Sequence, residues 1–163
     1  MRSNTKSRQA EYISRLNALY SDVEKWIEGT DVKASRGQTE LREEIPGSYE
    51  APTLALQDGQ GDKVADLLPV GAWIIGAEGR VDLVGVLDRN SLVFLRQGGP
   101  HRKTKVRVVG SREAEEEWSR PLFQGVDRPG WYWIEDKRLG RARLVTKQLF
   151  LDLLAEVSDH VLG

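Results

Sequence analysis

The stretch RVDLVGVLDRNSLVFLR, residues 80–96, decides the architecture of this chain. Arg80 to Leu87 and Ser91 to Arg96 read as two strands, with only Asp88, Arg89 and Asn90 between them. A link this short joins antiparallel neighbours, because a parallel crossover needs about a dozen residues or more.

The same period of two extends in both directions. Upstream, Thr39, Leu41, Glu43 and Ile45 alternate with Glu40, Arg42 and Glu44, and further strands are expected at Thr53 to Gln57, Lys63 to Leu68 and Ala72 to Ile75. Downstream, Thr104 to Val109, Trp131 to Glu135 and Arg141 to Val145 have the same character, whereas the acidic run Ser111 to Trp118 reads as a short helix. Asp58 to Asp62, Glu78–Gly79, Gly98–Gly99–Pro100 and Asp136 to Gly140 supply the turns.

Helical spacing frames this strand-rich region of about 32–145. Tyr12, Leu16, Leu19, Val23 and Trp26 recur at intervals of four and three, beside Ile13, Tyr20 and Ile27, and Gly29 marks the cap. A helix over about 6–28 follows. Leu149, Phe150, Leu153, Leu154, Val157 and Val161 form a second stripe, with Thr146 as N-cap, giving a helix over about 146–162. The expected fold is one α+β domain over 1–163: a twisted, mainly antiparallel sheet of about seven to nine strands with amphipathic helices from both ends packed on it.

Composition narrows the function classes. A chain of 163 residues, 39% hydrophobic and 30% charged, is that of an ordinary folded protein. Cysteine is absent, which removes disulfides, thiolate nucleophiles and cysteine-based metal sites, and fits a reducing compartment. Met1 to Ala10 has no apolar core of the kind a secretory signal carries, and Leu67 to Ala77 falls far short of the roughly 20 residues of a membrane span. A soluble, cytoplasmic protein without membrane partners is expected. With 24 basic and 25 acidic side chains, only local clusters give a reason to bind nucleic acid.

Catalytic signatures are sparse. His101 lies in a basic loop-like segment and His160 near the end of the last helix, where a cation complements the helix dipole; neither has metal-ligand spacing or a serine-nucleophile elbow nearby. The glycines form no phosphate loop, so no nucleotide cofactor is implied. Asp82 with Glu135 and Lys137, an acidic residue followed by Glu-x-Lys, resembles the PD-(D/E)xK nucleases over these three residues. That resemblance implies carboxylates holding magnesium and a lysine positioning water for phosphodiester cleavage.

Two surface features offer more. His101 to Arg112 carries Arg102, Lys103, Lys105, Arg107 and Arg112 without an acidic residue, and Glu113, Glu115, Glu116 and Glu117 then reverse the sign. Trp131 and Trp133 alternate with Tyr132, so they share one face, either as a core pair or as exposed contacts for bases. The leading expectation is a non-enzymatic interaction or regulatory protein, such as an inhibitor, immunity protein or adaptor. Its contacts with a protein partner would be Arg102, Lys103, Lys105, Arg107, Glu115 and Glu116. Nucleic-acid binding through 101–112 is the alternative, and metal-dependent phosphodiester cleavage the third reading. No cofactor is expected.

Overall fold

The computed structural model describes residues 2–45, 47–74, 76–107, 115–136 and 138–160. In chain order the elements are α1 (Arg2–Trp26), β1 (Lys33–Glu43), β2 (Gly47–Gln57), β3 (Lys63–Gly71), β4 (Arg80–Gly85), β5 (Arg89–Leu95), β6 (His101–Arg107), β7 (Glu115–Pro121), β8 (Gly130–Asp136), β9 (Arg141–Leu144) and α2 (Lys147–Ser158). Seven strands form one antiparallel sheet in the order β1-β2-β3-β4-β5-β8-β9. The chain therefore has the α+β architecture expected from its patterning. β6 and β7, by contrast, form a separate two-stranded sheet rather than widening the first.

Both helices bury their stripes in one core on one face of the large sheet. Tyr12, Leu16, Leu19, Tyr20 and Val23 of α1, with Ile27 just beyond it, meet Leu149, Phe150, Leu153, Leu154 and Val157 of α2, over Leu54, Leu56, Leu67, Val81, Leu83 and Leu92. Polar atoms in that layer are tied down. The Tyr20 hydroxyl donates to the Pro52 carbonyl oxygen at 2.8 Å, and the Tyr12 hydroxyl donates to that of Arg80 at 2.5 Å while accepting from the Gly71 N–H at 3.2 Å. A smaller cluster of Leu95, Val126, Tyr132 and Ala142 covers the other face near β5, β8 and β9. The alternation of Leu92 and Trp131 into the first cluster with Tyr132 and Leu95 into the second follows from the pleat.

The ends of the helices are set locally. Gly29, at φ +80°, takes the left-handed conformation after α1 that a side chain resists. The Thr146 hydroxyl accepts from the Leu149 N–H, as an N-cap should. α2 closes at Ser158, short of the expected 162, because Asp159 turns left-handed at φ 55° and its N–H returns to the Ala155 carbonyl.

Two further expectations change. Ala72 to Ile75 forms no strand among its described residues, only an isolated bridge between Ile74 and Ala77. The Glu43 carboxylate accepts the Ala72 and Trp73 N–H groups at 3.1 Å each, leaving those donors no part in a ladder. Of the acidic segment read as a helix, residues 111–114 lie outside the described residues and Glu115 onward is strand β7. Pairing along β6 overrides the weak strand preference of glutamate.

Candidate functional site

Asp82 sits in the middle of the large sheet. Val81 and Leu83 on either side enter the helix-side core, so alternation turns Asp82 to the opposite face, where it is only 4% exposed. Arg80, two residues earlier on the same strand face, donates from Nε and Nη2 to the two carboxylate oxygens at 2.9 and 3.1 Å. Arg89, entering β5, brings Nη1 to 3.6 Å from Oδ2. A fork of this kind offsets the desolvation that a buried carboxylate otherwise suffers. The hydrogen bond to Asp82 also holds the Arg80 guanidinium above its ordinary pKa.

That arrangement bears on the nuclease resemblance. Both oxygens of Asp82 face guanidinium groups, and β5 lies between β4 and the strand that carries Glu135. Glu135 is exposed, at the irregularity between Ile134 and Asp136 where β8 slips relative to β9. Lys137 lies outside the described residues. Among the described residues no group of three or more His, Asp and Glu side chains is gathered where a metal ion could sit.

A recess opens beside Asp82. β5 and β8 pair from Leu95 with Gly130 to Leu92 with Trp133, and their ladder goes no further. Ile74, Arg80, Arg89, Asn90, Ser91, Val93, Trp133 and Ile134 line the resulting hollow of about 350 Å³. The Asn90 side-chain nitrogen is buried with no hydrogen-bond partner in the protein. Neither Arg80 nor Arg89 stood out in the sequence. The available signal was Arg80-x-Asp82, a spacing that puts opposite charges on one face of a strand.

The two tryptophans have different surroundings. Trp131 is 7% exposed, meets Phe94 edge-on at 5.5 Å, and donates its indole N–H to the Arg15 carbonyl at 3.1 Å. It is a core residue tying β8 to α1. Trp133 is partly buried against the same core and forms part of the recess wall.

The charged segment forms the β6–β7 arm. Its register sets Arg107 opposite Glu115, Val106 opposite Glu116, Lys105 opposite Glu117, Lys103 opposite Ser119 and Arg102 opposite Arg120. Residues 108–114, including Arg112 and Glu113, lie outside the described residues. The arm leaves the large sheet between β5 and β8, where the Gly98 N–H donates to the Val126 carbonyl and the Leu122 N–H to that of Pro100. His101 begins β6. His160 lies beyond α2, with Nε2 at 3.0 Å from the Asp31 carboxylate, clasping the end of that helix to the α1–β1 connection.

No protein-family profile, curated protein or solved structure matches this chain. No helix among its described residues is long and apolar enough to cross a membrane.

Proposed function

We propose that this is a non-enzymatic, cytoplasmic interaction or regulatory protein that engages a protein partner through the β6–β7 arm. The observation that carries the reading is the arm's charge register: Lys105 and Arg107 stand opposite Glu117 and Glu115 in a two-stranded sheet separate from the main one. A strand rich in Arg and Lys invites phosphates, but its neighbour carries three consecutive glutamates only about 4.8 Å away across the ladder. Such a mixture of signs breaks up a continuous track for a polyanion and suits a partner with patches of both signs. A lone two-stranded hairpin is also marginally stable in water, so docking against a partner would stabilise it. Arg102, Lys103, Lys105, Arg107, Glu115 and Glu116 are the proposed contact residues.

The test is capture of the tagged chain from its own cells, with and without nuclease. The reading expects a stoichiometric protein that survives nuclease treatment. RNA or DNA retained in its place, and lost when Lys105 and Arg107 are reversed, would instead make the arm a nucleic-acid contact.

A further inference from the structure

We propose that the hollow between β5 and β8 binds a small organic carboxylate with an apolar body. Arg89 and Arg80 hold the carboxylate, and Ile74, Val93 and Ile134 hold the body. This site is independent of the arm, and neither reading needs the other.

Several features converge on it. The hollow exists because the β5–β8 ladder stops at the pairing of Leu92 with Trp133, and its volume of about 350 Å³ lies at the small end of the range for small-molecule sites. Two guanidinium groups face one carboxylate, that of Asp82, which leaves a formal surplus of a single positive charge. That surplus matches a carboxylate monoanion, whose planar oxygens fit the arginine fork. Arg89 is the less committed of the two: its side chain is 64% exposed and its contact to Asp82 is long, at 3.6 Å. Arg80 is held in place by its bidentate grip on a buried residue, so its remaining N–H groups are preorganised. Apart from Ser91, the wall on this face is aliphatic, through Ile74, Val93 and Ile134, which favours an apolar body over a sugar or a bare ion.

The experiment is an NMR titration of the full chain with naphthoate, beside inorganic phosphate as the charge alone and naphthalene methanol as the body alone. Saturable shifts are expected at Arg89, Val93 and Ile134 with naphthoate, at lower concentration than with either control. Arg89→Gln should weaken naphthoate roughly tenfold or more, and Arg89→Lys, which keeps the charge without the fork, should fall between. Both act on an exposed side chain and should leave the protein folded, with a loss of under about 1 kcal/mol. The proposal fails if these signals do not move, if phosphate matches naphthoate and the site takes an adventitious ion only, or if Arg89→Gln binds naphthoate as well as the parent.

Discussion

Arg80 and Asp82 stand two residues apart on one strand, and the guanidinium of the first holds both carboxylate oxygens of the second, at 2.9 and 3.1 Å. The pair is asymmetric: the Arg80 side chain is 36% exposed and reaches water, whereas that of Asp82 is 5% exposed and does not. Removing the arginine strands a buried charge; removing the aspartate frees a cation that solvent can hydrate.

Arg80→Met should therefore destabilise the protein by about 3 kcal/mol, more than Asp82→Asn, at about 1–2 kcal/mol. Arg89→Gln should cost under about 1 kcal/mol, as for an exposed pair. Urea unfolding of the three variants measures the order. Equal losses for Arg80→Met and Arg89→Gln would show that the fork does not anchor Asp82.

Gly85 is the point where β4 meets α2. A Cβ there would overlap the Val157 carbonyl oxygen, which already accepts from the Leu87 and Asp88 N–H groups at 2.8 and 3.3 Å. Gly85→Ala should cost about 2–3 kcal/mol by overpacking, against about 1 kcal/mol for Gly29→Ala, where only the left-handed backbone objects. Thermal or urea unfolding distinguishes them.

Burial pushes the phenols of Tyr12, Tyr20 and Tyr49 above their ordinary value, and for Tyr49 the hydrogen bond it donates to Glu43 adds to the effect. The unfolded chain then loses these protons near pH 10 while the folded chain keeps them. Since the unfolded state binds fewer protons there, stability falls as pH rises above about 10, by at most about 1.4 kcal/mol per pH unit per tyrosine. Unfolding free energy across alkaline pH should show that decline, and Tyr20→Phe should make it shallower. A slope unchanged in that variant would count against a buried, neutral Tyr20.

Thr146→Ala removes the acceptor for the Leu149 N–H and should cost about 1 kcal/mol, with Thr146→Ser close to neutral. Helix α2 supplies much of the lid on the core through Phe150, Leu153 and Leu154, so the loss should appear in global unfolding rather than as local fraying.

The fold was legible wherever one residue's neighbours in sequence decide its environment. Alternation through Val81 and Leu83 marked β4, the four-and-three spacing from Tyr12 to Val23 marked α1, and Thr146 marked the start of α2. What escaped was settled by distant partners. The N–H groups of Ala72 and Trp73 belong to Glu43, about thirty residues away, and glutamates that favour a helix locally were drawn into β7 by the strand beside them. Asp82 drew attention as an acid preceding Glu135-x-Lys137. Its meaning depends on Arg80 and on Arg89, which is brought alongside by the β4–β5 hairpin, and the hollow beside them depends on where the β5–β8 ladder stops. No local pattern encodes that.

A charge swap across β6 and β7 tests the arm's role as a protein contact directly. Exchanging Lys105→Glu with Glu117→Lys preserves the opposition of charges across β6 and β7 while inverting what a partner meets. Affinity for the captured partner, measured for the parent and the doubly exchanged chain at equal unfolding midpoints, should fall about tenfold or more in the exchanged chain. Undiminished affinity in a folded exchanged chain would contradict that role and move the contact away from β6 and β7.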